Sequence, residues 1–303
     1  MQLSRELSER RTAKPVYASA GWLDPVTQDI LMQIMTELAT MISILGRAPA
    51  GRRIAEIQLR VRAFLRQAAE CIMAREIDPW VRLRLSPDEP PVSPLPASVR
   101  IGFFPLSANP IHWGHLLSAL SVMARARLDK IIFTIASDSP PSTELYPEEM
   151  RRGAAAEAVS LFQPLFTLIP ASAGRTLSGP ASLFRLLGLN NQQMIEAFYI
   201  IVANELASSA GVIEVMEALW GHSGSTVGVR SEKLHPISLI RVDSTGVEKP
   251  SLHDNRVLVI PHPLPGISTA AVRGALRSSF HRDELAALPA CAFRLFRMFT
   301  ALD

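Results

Sequence analysis

The segment Ile101–His115, IGFFPLSANPIHWGH, concentrates the residue types that handle phosphate. Its apolar start, Ile101–Phe104, reads as a strand; a loop follows, then a helix opening near Gly114. His112 and His115 stand three positions apart, a spacing that puts both imidazoles on one side of the first helical turn. A helix N-terminus adds free backbone N–H groups and the positive end of the helix dipole, which suit an anion. Gly114 lets a ligand approach the backbone closely. The pair Asn109-Pro110 fixes the turn and supplies a short polar side chain.

With these residues in place, the segment resembles the first signature of the HxGH nucleotidylyltransferase superfamily, G-G-[ST]-F-D-P-x-H-x-G-H. Ser107 stands at the Ser/Thr position and Asn109 at the Asp position, while Pro110, His112, Gly114 and His115 match. Pro105, Leu106 and Ala108 depart from the usual Gly-Gly and Phe. Far downstream, Gly266–Arg273, GISTAAVR, resembles the superfamily's I-S-S-T-x-[IV]-R signature. Ile267, Ser268, Val272 and Arg273 fit, Thr269 replaces a Ser, and Ala270 sits where Thr is usual. This stretch also follows an apolar run, Val257–Ile260, and opens a helix, which makes it a second candidate phosphate cradle. The two motifs stand in the right order, about 160 residues apart.

The resemblance covers about residues 98–303 and is closest to the nicotinate/nicotinamide mononucleotide adenylyltransferases. It implies a Rossmann-like doubly wound sheet and attack of a mononucleotide 5′-phosphate on ATP, giving a dinucleotide and pyrophosphate, with Mg²⁺ accompanying ATP. By the same resemblance His112, His115 and Arg273 are catalytic. Phe104, Ser107, Asn109, Gly114, Ser268 and Thr269 would bind ATP, and Arg151, Asn204 and Trp220 the acceptor. Arg152 fits the family's helix Arg as well as Arg151 does. Two departures stand out. Pro140-Pro141 is followed by Ser142-Thr143 where the family often has His-Lys, and Val202-Ala203-Asn204-Glu205 replaces a Gly-x-Asp that takes part in nucleotide recognition. These departures leave two alternatives open: a degenerate nucleotide-binding or sensory module of the same fold, and a related transferase with another phosphorylated acceptor.

Other chemistries fit less well. The histidine pair lacks a nearby third ligand and no H-E-x-x-H is present, against a zinc site. No G-x-S-x-G elbow marks a hydrolase. The glycine-rich run Gly221–Gly228 lacks the Lys of a P-loop and reads as a surface loop or a cover over the cleft. His222, His235, His253 and His262 read as structural.

Strands alternate with helices over the rest of the second part: apolar runs at 130–136, 165–169, 197–203, 237–242 and 256–261, and helical patterns at 114–127, 150–162, 182–187 and 212–220. The tail, 269–298, reads as two helices around Pro289. This alternation predicts an α/β fold, a doubly wound parallel sheet that binds ligands beyond the carboxyl ends of its strands. Before it lies a helical region, residues 1–86, with a helix at 24–45 capped by Asp24 and a second from about Arg52 to Arg75. Arg52, Arg53, Arg60, Arg62 and Arg66 decorate the second and read as a solvated face. Two such amphipathic helices are too few to bury themselves, so they are expected to pack on the second domain or on another subunit. Residues 87–97, rich in proline, read as an extended linker, and 98–303 as the nucleotidylyltransferase domain.

The chain has 303 residues, 48% hydrophobic and 19% charged, ample for a core. A formal net charge of +3 does not mark a nucleic-acid binder. Two cysteines, Cys71 and Cys291, exclude a disulfide scaffold and suit a cytoplasmic setting. The charged start MQLSRELSERR lacks the apolar core of a secretory signal, and no apolar run is long enough to span a membrane.

Overall fold

The computed structural model describes residues 24–92, 98–136, 145–170, 179–202, 219, 236–243, 257–278 and 282–300. Helix α1 (Pro25–Leu45) starts where the sequence predicts: the Asp24 carboxylate accepts from the backbone N–H groups of Val26 and Thr27 at 2.9 and 3.3 Å. Ile30, Ile34, Leu38, Met41 and Leu45 form its buried stripe. Gly46, at φ 86°, ends it, and helix α2 (Arg47–Met73) restarts at once, five residues earlier than expected. Pro49 falls in the first turn of α2, where its missing N–H removes no helical hydrogen bond, so the proline does not delay the start.

The α/β part follows as β1 (Ser98–Leu106), α3 (Trp113–Ala126), β2 (Lys130–Ile135), α4 (Glu148–Ser160), β3 (Phe166–Leu168), α5 (Gly179–Leu189), β4 (Met194–Val202), β5 (Ile237–Asp243), β6 (Val257–Pro261), α6 (Thr269–Ser278), α7 (Arg282–Leu285) and α8 (Ala290–Thr300). The predicted helix at 212–220 lies outside the described residues, apart from Leu219. In the tail, α8 follows Pro289 as expected, and α6 and α7 precede it among the described residues. The six described strands form one sheet in the order β3-β2-β1-β4-β5-β6, and every neighbouring pair is parallel. The chain is therefore doubly wound. Strand order reverses between β1 and β4, so the carboxyl ends of those two strands flank the ligand crevice typical of such sheets.

Both faces of the sheet are covered, as the near-continuous apolar strands require. One face carries Phe104, Ile131, Phe133 and Phe166 into a single apolar core with α3, α4, α8 and both N-terminal helices. The expectation that α1 and α2 need another surface is met within the chain: α2 packs on α3, and the Glu37 carboxylate of α1 accepts from the Cys291 backbone N–H at the start of α8, at 2.8 Å. Burial and the neighbouring Glu37 push the Cys291 thiol up to about 12. The other face packs Val99, Ile101, Phe103 and Ile132 against α5 and against Val81, Leu83 and Leu85. Those last three belong to a non-helical segment that follows α2. It is tied down where Asn190 pairs with the backbone of Arg84 in both directions, at 2.9 and 2.8 Å. Among the described residues no helix is long and apolar enough to cross a membrane.

Candidate active site

Three strand ends build the cleft. β1 runs into the loop of the first motif, which ends at His112, the residue that precedes α3. β6 runs into His262 and then into the loop that leads to α6. β4 contributes its last residue, Val202. Together Ser107, His112, His115, Val202, His262, Ile267, Ser268, Thr269, Ala270 and Arg273 line a cavity of about 260 Å³. That volume suits the phosphates of a nucleotide rather than the whole molecule.

The two motif histidines stack, ring centroids 3.7 Å apart and planes 19° from parallel. His115 Nδ1 accepts from the His112 backbone N–H at 3.2 Å, so in the neutral ring the proton resides on Nε2, leaving that nitrogen a donor. His112 Nε2 lies 3.2 Å from Thr269 Oγ1, across 157 residues of chain. Its Nδ1 is buried with no partner among the described residues. Burial, reinforced by neighbouring His115 and His262, holds the His112 imidazole well below its ordinary pKa. The ring is therefore neutral at pH 7 in the free protein and favours protonation once an anion enters.

Gly114 serves this geometry differently from the expected close approach of a ligand. A Cβ at position 114 would stand 2.8 Å from Cε1 and Nδ1 of His112, so the His112 ring itself occupies the space that glycine leaves. The amides of α3 also differ from expectation. The Trp113 N–H, first in the helix, donates to Ala287 O at 2.8 Å, and the His115 N–H donates to His112 O at 3.0 Å. Thus α3 offers the cleft imidazoles more than backbone donors. At α6 the Ser268 hydroxyl accepts from the Ala271 N–H at 3.1 Å, an N-cap that fixes the helix start beside Thr269 and Ala270.

Besides Gly114, three residues expected to touch ligand do not line the cavity. Phe104 is fully buried and stacks on Phe133, centroids 5.4 Å apart, because the alternation of β1 turns it into the core. Asn109 is buried, and its Oδ1 accepts from the Tyr146 N–H at 2.9 Å; it joins the motif loop to the approach to α4. Arg151 is also fully buried. Its guanidinium donates to the carbonyls of Tyr146 (2.9 Å), Ala136 (3.1 Å) and Ser107, a spread that ties the carboxyl ends of β1 and β2 together. Arg152 is spent similarly, paired with Glu148 at 2.8 Å. Asn204 and Trp220 lie outside the described residues, as do the Pro140-Pro141 loop, the Gly221–Gly228 run, His222, His235 and His253.

His262, which reads as structural in the sequence, faces the cavity as well. It lies buried in the cavity wall, not in the core. The signal was available, since His262 immediately follows an apolar strand, the same placement that singled out the first motif.

Comparison with models of protein families finds no match, and comparison with curated proteins finds none either. Among solved structures, the chain is similar to a Plasmodium falciparum nicotinic acid mononucleotide adenylyltransferase. In its complex with NaAD the TM-score is 0.48 at 11% identity, over 67% of this chain and 96% of the other. In its complex with APC the TM-score is 0.46 at 10% identity, over the same shares.

Proposed function

We propose that the protein is an adenylyltransferase that joins ATP to a nicotinate or nicotinamide mononucleotide. The observation that carries this reading is the meeting of the two motifs in one cleft: stacked His112 and His115 on one wall, Thr269 and Arg273 on the other, with His112 Nε2 and Thr269 Oγ1 at 3.2 Å. A phosphate oxygen of the acceptor attacks the α-phosphorus of ATP. The bond from that phosphorus to the bridging oxygen breaks, and pyrophosphate leaves with the electron pair. No protein nucleophile is required; the site must align two anions and offset charge that spreads over the phosphoryl oxygens.

His115, with its proton on Nε2, donates to the phosphoryl oxygens. His112, neutral when the site is empty, gains a proton more readily against the triphosphate and then donates as a cation. Thr269 and the first turn of α6 hold the outer phosphates, and Arg273 offsets charge on the departing pyrophosphate. Among the described residues no group of three or more His, Cys, Asp or Glu side chains is placed to hold a metal ion. Mg²⁺ would arrive with ATP as part of the substrate, held by phosphate oxygens and water. Cytoplasmic work belongs to the same proposal and accords with the free thiols of Cys71 and Cys291.

The second reading, a nucleotide-sensing module that does not turn over, draws on one observation. The Trp113 N–H, which a phosphate could otherwise take, is already occupied by Ala287 O. Incubation with MgATP and each mononucleotide, followed by chromatography of the products, separates the two. A new dinucleotide supports the transferase. Unchanged ATP with the nucleotide still bound supports the sensor.

A further inference from the structure

His262 occupies a position that neither motif includes. Its N–H donates to Asp243 O at 2.7 Å, which carries the β5–β6 ladder one residue past the end of β6 and pins the backbone at the mouth of the cleft. Its Nδ1 accepts from the Leu264 N–H at 3.1 Å. In the neutral ring the proton must therefore sit on Nε2. The ring lines the same cavity as His112, His115, Thr269 and Arg273, and its Cε1 stands 3.6 Å from the point where a Cβ on Gly114 would lie, beside the His112 ring. Three imidazoles from two segments, the first motif and the end of β6, thus converge on one small space. Such crowding works against protonation of His112 while the site is empty, and becomes favourable when a polyanion fills it. An apolar side chain could fill the same wall without that cost.

We propose that His262 is a third imidazole donor to the nucleotide, with its Nε2–H on the outer phosphates that leave as pyrophosphate. The assignment rests on the adenylyltransferase reading. Its location supports the outer rather than the α-phosphate: His262 opens the loop that delivers Ser268, Thr269 and Arg273, the residues placed around the departing group.

The competing role is purely structural, a ring that only holds Leu264. Two substitutions separate them in the full-length protein. His262→Asn keeps an acceptor where Nδ1 meets the Leu264 N–H and removes the Nε2 donor. His262→Gln does the reverse, carrying an amide N–H toward the Nε2 position without the local acceptor. Calorimetric titration with inorganic pyrophosphate and with ATP reads the outcome, with a thermal melt to show that each variant is folded. The proposal predicts about tenfold weaker pyrophosphate binding in His262→Asn and binding within about threefold of wild type in His262→Gln. The opposite order, or two variants that bind as wild type does, overturns it. Wild-type protein that binds neither ATP nor pyrophosphate overturns the nucleotide reading itself, and this proposal with it. The unaltered protein gives an independent check. Pyrophosphate should shift the ¹⁵N resonance of His262 Nε2, and an unmoved resonance at saturating pyrophosphate contradicts the contact.

Discussion

His112 Nε2 and Thr269 Oγ1 meet at 3.2 Å, and this one contact closes the cleft between the loop after β1 and the helix after β6. The two residues belong to separate motifs on opposite halves of the sheet. The contact sets the orientation of a ring whose other nitrogen has no partner among the described residues. Thr269→Val removes the hydroxyl at nearly constant shape. Turnover is expected to fall by about fivefold, the worth of one hydrogen bond, while Thr269→Ser keeps wild-type rates. Steady-state kinetics of the two variants side by side make the check, and equal rates for Val and Ser would mean that the contact does nothing for turnover.

Gly114 makes room for the same ring. Because a Cβ there would stand 2.8 Å from His112, Gly114→Ala must rotate the imidazole away from Thr269. A displacement near 1 Å costs on the order of 10² in rate, so Gly114→Ala should approach that loss with little change in melting temperature. An active Gly114→Ala protein would show that the ring position is not critical.

Acid stability carries the mark of His112. Its folded-state pKa lies well below the ordinary 6.5. Above pH 6.5 neither state binds the proton and the ring costs nothing. As pH falls below 6.5 the unfolded chain takes up a proton that the folded protein refuses, so stability declines by up to about 1.4 kcal/mol per pH unit for this group. Urea midpoints at pH 7.5 and 5.5 should therefore differ more for wild type than for His112→Asn. An identical acid loss in both would assign the effect to other groups.

Arg151 is expected to matter for stability through the three carbonyls it satisfies. Arg151→Met keeps the bulk but leaves the carbonyls of Ser107, Ala136 and Tyr146 without that donor. A cost on the order of 3 kcal/mol follows, visible as a drop in melting temperature of several degrees. A variant that melts as wild type does would return Arg151 to the role of a ligand-binding residue.

Much of this arrangement is legible in the sequence, and the limits have physical causes. The parallel sheet follows from β-branched runs alternating with helical patterns, and the position of the cleft follows from motifs that each lie between a strand and a helix. Side-chain direction is less legible. Phe104 and Ser107 are three residues apart, yet one enters the core and the other the cleft, because β1 continues to Leu106 rather than stopping at Phe104. Arg151 reads as a free cation in one dimension; only the meeting of β1, β2 and α4 in space shows three carbonyls waiting for it. His262 depends on the register of β6 against β5, in which Pro261 stands opposite Asp243, and that pairing cannot be read from either strand alone.

Pyrophosphate release tests adenylyl transfer at the stacked histidines most directly. Purified full-length protein, supplied with ATP and Mg²⁺, is offered nicotinate mononucleotide and nicotinamide mononucleotide in separate reactions, with His115→Ala in parallel. Release is expected to require one of the two acceptors and to fall by about 10²–10³ in His115→Ala, the usual loss for one transition-state donor. Absence of release with both acceptors from protein that binds ATP, or release undiminished in His115→Ala, would contradict it.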